Sequence, residues 1–188
     1  MMLRQRILLD QKQNIVVLDD DEDALGFLKT LLKSFENSCN IKYYDYPTKD
    51  FCNYVSNNHI DLFIMDIRLG KFENGIKLSE DIIYKKRGSI FLFISGYDYN
   101  EKDFQHLNGK CIYDFVRKPL NIEQFVIVTT TLLNVASTYK ISFKNAKPPS
   151  TESVDDLRSR YFRQLEEDKL LIKRLKECSV NLDILCKE

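Results

Sequence analysis

The chain has 188 residues, with 28 Lys and Arg against 28 Asp and Glu, 44% apolar residues, six Gly, four Pro and no Trp. This composition excludes a disordered or collagen-like chain, and the length predicts one domain of ordinary size plus additional material. A formal charge of zero supplies no global electrostatic attraction toward nucleic acid.

The cysteines and the hydropathy pattern predict where the chain functions. The five cysteines are scattered without a C-x-x-C spacing, which indicates buried apolar thiols in a reducing compartment rather than a disulfide scaffold. No apolar run approaches the ~20 residues that span a bilayer. The short apolar stretch at residues 7–9 is too short for a signal peptide. We therefore expect a cytoplasmic protein that does not bind membranes.

Short apolar runs alternate with longer amphipathic segments between residues 14 and 140. Three of the runs are nearly continuous in β-branched and aromatic residues, as expected for strands buried on both faces. This alternation predicts an α/β fold in which helices cover a five-stranded parallel sheet. The predicted strands are Ile15–Leu18, Ile41–Tyr46, Leu62–Met65, Ile90–Ile94 and Cys111–Val116.

The amphipathic segments predict five helices. In the first, apolar residues recur at spacings of three and four and form one stripe. The fourth has the weakest pattern. The fifth opens at Asn121, and Gln124 three residues later gives a capping-box spacing. The helices are expected at Ala24–Phe35, after Thr48, after Gly75, around Asn100–Leu107, and from Asn121 toward Tyr139.

The character of the chain changes after about residue 140. Polarity rises, and Pro148 and Pro149 interrupt any regular element. Residues 151–188 contain neither Gly nor Pro and predict an amphipathic helix. Its apolar side comprises Leu157, Tyr161, Leu165, Ile172, Leu175 and Leu182. The predicted organisation is an N-terminal extension (1–13), a first domain (14–140), a linker (141–150) and a helical tail (151–188).

Polar residues directly follow four of the apolar runs. An acidic run that begins at Asp19 follows the first, Asp66 the third, Ser95 the fourth and Lys118 the fifth. Ligands of parallel α/β sheets bind beyond the carboxyl ends of the strands. Carboxylates that converge there repel one another, and a hard cation such as Mg²⁺ relieves that repulsion. The pattern therefore predicts a Mg²⁺ site in which the carboxylate of Asp66 can attack a phosphoryl group.

These residues resemble the receiver domains of two-component response regulators, and the resemblance covers residues 14–140. It implies a doubly wound (βα)5 flavodoxin-like fold followed here by a C-terminal helical extension. It also implies that Asp19 and Asp20 bind Mg²⁺, that Asp66 is phosphorylated, and that Ser95 and Lys118 contact the phosphoryl group.

The resemblance assigns finer roles to three further residues. The backbone carbonyl of Arg68 would join the metal ligands, and Phe115 would be an aromatic switch that moves with Ser95. Arg68 and Tyr97 occupy positions that tune the lifetime of the phosphoryl group, and the bulk of Tyr97 predicts slow hydrolysis. The competing interpretation makes Phe115 a core aromatic residue and the other two exposed loop side chains.

The sequence departs from the family pattern after Asp66. Gly70 stands where the family usually has Pro, Asn74 replaces the Asp of an Asp-Gly pair, and the loop is one residue longer. The acidic run allows two pairs of metal ligands, Asp19 with Asp20 or Asp20 with Asp21. Counting from the end of the apolar run favours the first pair and leaves Asp21 as a helix cap.

The function predicted is that of a phosphoacceptor with self-catalysed chemistry rather than an enzyme. Its phosphodonor would be a histidine kinase or a phosphotransfer protein. An alternative is a receiver-like scaffold that signals without phosphorylation, whereas a phosphatase is disfavoured because Asp66-Ile67-Arg68 lacks a second Asp. Two surfaces could support homodimerisation: the fourth and fifth helices, and residues 151–188. DNA binding is disfavoured. His59 and His106 are expected to have structural roles.

Overall fold

The computed structural model describes residues 12–70, 73–86, 88–96, 101–108 and 110–145. In the C-terminal part it describes residues 159, 161–164, 166–167 and 170. Within these residues, no helix combines the length and the apolar character that crossing a membrane requires.

A five-stranded sheet forms the centre of the fold, and every pairing in it is parallel. All five predicted strands are present with small shifts at their ends, so the α/β prediction is confirmed. The strands are β1 (Gln13–Leu18), β2 (Cys39–Tyr44), β3 (Leu62–Asp66), β6 (Ile90–Ser95) and β7 (Ile112–Arg117), in the spatial order β2-β1-β3-β6-β7. Two short strands, β4 (Arg68–Leu69) and β5 (Glu73–Asn74), pair antiparallel in the loop after β3.

Three α-helices connect strands of the main sheet and a fourth follows β7 in the described part up to residue 145, and each begins after a residue whose side chain caps it. The caps of α2 and α4 are those that the sequence indicated: Thr48 accepts a hydrogen bond from the amide of Phe51 (3.3 Å), and Asn121 accepts one from Gln124 (3.0 Å). The helices are α1 (Glu22–Leu32), α2 (Lys49–Asn57), α3 (Gly75–Lys85) and α4 (Ile122–Asn145).

The fourth predicted helix is not an α-helix. Residues Glu101–Leu107 form a 3₁₀ helix, which buries Phe104 and Leu107. A spacing of three residues places these two side chains on one face of a 3₁₀ helix and of an α-helix alike, so the apolar pattern does not distinguish the two helix types. A second difference concerns the fifth helix, since residues 141–145 are helical where the sequence predicted a linker.

The core lies in two layers on either side of the sheet. On one face, α1 and α4 contribute Leu28, Leu32, Phe125 and other apolar side chains to one cluster. On the other face, α2, α3 and the 3₁₀ helix cover an aromatic cluster that includes Phe63, Phe91 and Phe93. Helices thus cover both faces of the sheet, and ligands of sheets of this kind bind at the carboxyl ends of the strands.

Most of the predicted tail lies outside the described residues. Of its predicted apolar side, Tyr161 alone is described; it is fully buried and belongs to the cluster formed by α1 and α4. Residues 161–164 are helical, as predicted for this part of the chain. Residues 1–11 also lie outside the described structure.

Candidate functional site

Three carboxylates converge at the carboxyl edge of the sheet. Asp19 follows β1, Asp20 is the next residue, and Asp66 ends β3, which is the strand beside β1. One oxygen from each carboxylate lies within 4.8 Å of the other two. Asp19 is fully buried, Asp66 is 8% exposed and Asp20 is exposed. The cluster is therefore open to solvent on the side of Asp20.

Lys118, which follows β7, supplies the positive charge at this cluster. Its Nζ lies 2.8 Å from Oδ2 of Asp19 and 3.5 Å from Oδ2 of Asp66. Burial acts to lower the pKa of Lys118, but the hydrogen bond to Asp19 and the negative charges of Asp19 and Asp66 outweigh it and raise the pKa. The ammonium group therefore stays protonated at neutral pH.

The environment of Asp66 makes its carboxyl group an unusually weak acid. Burial raises the pKa of Asp66 to about 6, and the charge of Asp19 acts in the same direction. Lys118 and the backbone amides of Ile67 and Arg68 oppose this increase. Near neutral pH the carboxylate is ionised in a place where its negative charge is poorly solvated, so an added cation would be bound favourably.

The donor set fits a hard divalent cation. All three groups are carboxylates, which are ligands that Mg²⁺ prefers, and the exposure of Asp20 leaves room for water molecules in the coordination sphere. We assign Asp19, Asp20 and Asp66 as the residues that would hold it. Asp21 is a helix cap instead, because its Oδ1 accepts hydrogen bonds from the amides of Asp23 (2.9 Å) and Ala24 (3.1 Å).

A hydrogen bond joins the loop after Asp66 to the acidic cluster. Oδ2 of Asp20 accepts a hydrogen bond of 2.8 Å from the backbone amide of Gly70, which has a φ of 67°. Proline has no amide hydrogen and cannot adopt this φ, so a Pro at this position could not form the contact. The sequence shows that Gly70 is unusual, but it does not show that the amide contacts Asp20.

Asn74 and Gly75 place α3 directly beside Asp66. The side chain of Asn74 caps the helix by accepting a hydrogen bond from the amide of Ile76 (2.8 Å), and the amide of Gly75 donates to the carbonyl of Ile67 (2.8 Å). A Cβ atom at Gly75 would lie 2.1 Å from the carbonyl oxygen of Asp66. Only glycine fits here, and Asn74 performs the capping role for which Asp and Asn are equally suited.

The sequence pattern of one known protein family matches more than half of the chain. The sequence pattern of the response regulator receiver domain matches residues 15–129 of the chain. The chain belongs to the response regulator receiver family. It therefore contains the receiver domain of a two-component response regulator, with an acidic cluster of Asp19, Asp20 and Asp66.

Solved receiver domains share the fold of this chain. The signal receiver domain of an HD domain-containing protein from Pseudomonas fluorescens Pf-5 is 18% identical, with a TM-score of 0.58 over 69% of this chain and 93% of that one. A CheY-like receiver domain protein from Methanospirillum hungatei JF-1 is 20% identical, with a TM-score of 0.57 over 68% and 98%.

The non-phosphorylated HemR receiver domain from Leptospira biflexa is 24% identical, with a TM-score of 0.55 over 65% of this chain and 94% of that one. At these identities the likeness establishes the fold alone. Among curated proteins, none matches the chain.

Two further predicted residues follow from the ends of β3 and β6. Ser95 ends β6 and is buried, and its carbonyl accepts a hydrogen bond of 2.7 Å from the amide of Lys118. Arg68 is exposed and pairs with Asn74 across β4 and β5. The roles predicted for the Ser95 hydroxyl and the Arg68 carbonyl remain predictions, and Tyr97 lies outside the described residues.

Phe115 lies on β7, the strand that precedes Lys118. It is 43% exposed, and its ring stacks on Phe104 with centroids 6.0 Å apart. Phe104 in turn stacks on Tyr113 at 5.3 Å. Phe115 is therefore at the edge of the aromatic core rather than within it.

The two histidines of the receiver contact carboxylates outside the acidic cluster. Nε2 of His59 lies 3.3 Å from Asp61, and Nε2 of His106 lies 3.5 Å from Glu80. Asp61 also accepts a hydrogen bond from the amide of Asn14 (2.8 Å). These contacts place neither histidine with the three aspartates of the acidic cluster.

An apolar depression adjoins Lys118 on the side of α1. Its volume is about 260 Å³. Phe27 on its wall is 42% exposed. The lining residues are Ala24, Phe27, Leu28, Lys118, Pro119 and Leu120. The receiver therefore presents an accessible apolar surface next to the lysine of the site.

Proposed function

We propose that the protein accepts a phosphoryl group on Asp66 and uses it to change protein interactions. The contact that supports this most directly is the position of the Lys118 ammonium, 2.8 Å from Asp19 and 3.5 Å from Asp66. A fixed cation at the nucleophile is the charge arrangement that phosphoryl transfer requires.

The donor in this proposal is the phosphohistidine of a histidine kinase or of a phosphotransfer protein. An oxygen of the Asp66 carboxylate attacks phosphorus, the bond between phosphorus and the imidazole nitrogen breaks, and the imidazole leaves with the electron pair of that bond. The product is an acyl phosphate on Asp66 and a free histidine on the donor.

The residues around Asp66 have separate tasks in this step. Asp19 orients Lys118 through their 2.8 Å contact, and Lys118 neutralises charge on the transferred group. A bound Mg²⁺ would balance the negative charge of the carboxylates and the phosphoryl oxygens. The carbonyl of Arg68 is proposed as a further metal ligand, and the hydroxyl of Ser95 as a donor to the phosphoryl group.

The switching residues in this proposal are Ser95 and Phe115. Phosphorylation draws the hydroxyl of Ser95 toward the new anion, and Phe115 then moves inward from its exposed position. Arg68 and Tyr97 are proposed to set the rate at which water hydrolyses the acyl phosphate.

The test is incubation with Mg²⁺ and a small phosphodonor, followed by intact mass measurement. We expect the wild-type chain to gain one phosphoryl group and Asp66→Asn to gain none. Asp21→Asn is the matched control, because it removes a neighbouring charge and keeps a helix-capping side chain; it should be phosphorylated like the wild type. If no variant gains a phosphoryl group and beryllofluoride does not bind, the receiver acts as a scaffold without phosphorylation.

A further inference from the structure

Two of the three aspartates of the acidic cluster are held in place by the body of the receiver. Asp19 is fully buried, and both of its oxygens accept hydrogen bonds, Oδ1 from the amide of Asp21 (3.1 Å) and Oδ2 from Lys118 (2.8 Å). Asp66 is 8% exposed, and its Oδ2 lies 3.5 Å from the same ammonium group. These two carboxylates are therefore oriented before a cation binds.

Asp20 differs from both, because it is exposed to solvent. An exposed carboxylate loses rotamer freedom when it binds a cation, and this loss of entropy weakens the binding. A contact from the loop after β3 restrains Asp20, since its Oδ2 accepts a hydrogen bond of 2.8 Å from the amide of Gly70. A backbone group 50 residues further along the chain thus orients this carboxylate.

The backbone that carries this amide is itself held by the fold. Gly70 directly follows β4, which pairs antiparallel with β5. Leu69, the residue before it, is fully buried, and Asn74 on β5 caps α3. The φ of 67° at Gly70 turns the chain sharply after β4, a conformation that glycine adopts without strain. The donor is therefore a fixed backbone group rather than a mobile side chain.

From these contacts we infer that Gly70 is a positioning residue of the metal site: its amide orients the carboxylate of Asp20 for a hard divalent cation. The inference deepens the proposed function and rests on it, because the cation is the Mg²⁺ that phosphoryl transfer to Asp66 would use. Coupling is reciprocal, so the cation must favour the contact between Gly70 and Asp20 to the same extent that the contact favours the cation.

Titration of the full-length chain with Mg²⁺, followed through the nuclear magnetic resonance signals of amides in β1 and β3, tests the positioning. Gly70→Pro removes the amide hydrogen and should raise the dissociation constant for Mg²⁺ at least about tenfold. Gly70→Asn is the matched control, because Asn keeps the amide hydrogen and tolerates a positive φ. A Cβ atom here would lie 4.0 Å from Oδ2 of Asp20, so the constant should change less than about twofold. Equal constants in Gly70→Pro and wild type would overturn the inference.

The same substitution in an Asp20→Ala background separates positioning from a general disturbance of the loop. If Gly70 acts through Asp20, adding Gly70→Pro to Asp20→Ala should change the dissociation constant for Mg²⁺ by less than about twofold. If Gly70→Pro instead weakens binding by the same factor in both backgrounds, it acts on the loop rather than on Asp20, and the positioning role is wrong.

Hydrogen exchange at the Gly70 amide tests the reciprocal effect. Without metal, this amide should exchange at least about threefold more slowly in the wild type than in Asp20→Ala. Mg²⁺ should slow the exchange further in the wild type but not in Asp20→Ala. Faster exchange with Mg²⁺ bound would mean that the cation draws Asp20 away from Gly70, and the inference would be wrong.

The two proposals fail in different ways. If the wild type binds no Mg²⁺ and gains no phosphoryl group, the proposed function fails and the positioning role with it. If the wild type is phosphorylated on Asp66 with Mg²⁺ but Gly70→Pro binds the cation equally well, the positioning role alone is wrong.

Discussion

The backbone amide of Gly70 donates a hydrogen bond of 2.8 Å to Oδ2 of Asp20. This contact joins a candidate metal ligand to the loop that follows β3, the strand that ends at Asp66. Metal binding at Asp20 and the conformation of the loop are therefore linked, and substitutions at Asp20 can separate the charge from the hydrogen bond.

Asp20→Asn should lower Mg²⁺ affinity and leave the metal-free protein as stable as wild type. The Asn oxygen can still accept the hydrogen bond from Gly70, but the negative charge is lost. We expect affinity, measured by calorimetric titration, to fall by at least about tenfold. The free energy of unfolding in EDTA should change by less than about 0.5 kcal/mol.

Asp20→Ala is the companion variant, because it removes both the charge and the acceptor. Its free energy of unfolding in EDTA should fall by about 1 kcal/mol, the usual value of a lost hydrogen bond. If the Asn and Ala variants are equally stable, the contact with Gly70 does not stabilise the loop.

Gly75→Ala should destabilise the protein by about 2–4 kcal/mol, since its Cβ would overlap the backbone of Asp66. Urea unfolding followed by circular dichroism measures this directly, as the chain has no Trp to serve as a fluorescent probe. Gly26→Ala is the control. No atom lies within 4 Å of a Cβ placed at this helical position, so the variant should gain about 0.5–1 kcal/mol. If Gly75→Ala leaves the free energy of unfolding at the wild-type value, α3 does not approach Asp66 this closely.

Asp66→Asn should stabilise the metal-free protein at neutral pH. Burial raises the pKa of Asp66 to about 6, above the ~3.9 of an unfolded chain, so the folded state binds the proton more tightly. The ionised form therefore destabilises the fold at pH values above both pKa values, and this penalty disappears as the pH falls from about 6 to about 4.

Urea unfolding of both chains in EDTA across this pH range measures the effect. The Asn variant should be more stable by up to about 3 kcal/mol above pH 7, and the difference should vanish near pH 4. Adding Mg²⁺ should stabilise the wild type more than the variant. A stability difference that does not depend on pH would show that Asp66 titrates as an ordinary surface carboxylate.

Lys118→Met should raise the pKa of Asp66 above its wild-type value of about 6, because Lys118 favours the ionised carboxylate. Carbon-detected nuclear magnetic resonance of the Asp66 carboxyl group, recorded as a function of pH without metal, gives this pKa. Lys110→Met removes an exposed lysine elsewhere and should leave it unchanged. An unchanged pKa in Lys118→Met would place the lysine away from Asp66 in solution.

Much of the fold could be predicted from the sequence because its signals are local. The buried strands have continuous apolar runs, and the caps at Thr48 and Asn121 stand directly before their helices. The prediction of an α-helix around Asn100–Leu107 was wrong, because residues Glu101–Leu107 form a 3₁₀ helix. A short segment with two buried residues does not distinguish a 3₁₀ helix from an α-helix.

The close contacts of the site could not be predicted from the sequence, because they join backbone segments that are far apart along the chain. The bond between Asp20 and Gly70 spans 50 residues, and the fit of Gly75 depends on the path of the backbone at Asp66. The contact of Tyr161 with Asp114 spans 47 residues. Amphipathic periodicity indicated that the tail has an apolar side, but it left open whether that side packs on the receiver, on a second copy or on a partner.

The hydrogen bond between Lys118 and Asp19 also bears on when the acidic cluster forms during folding. These residues are 99 positions apart, at the ends of β7 and β1. The ion pair between Lys118 and Asp19 can therefore form only after β1 and β7 have joined the same sheet. Contacts of such long sequence separation slow folding. A chain that is incompletely folded would therefore lack the arrangement of charges around Asp66.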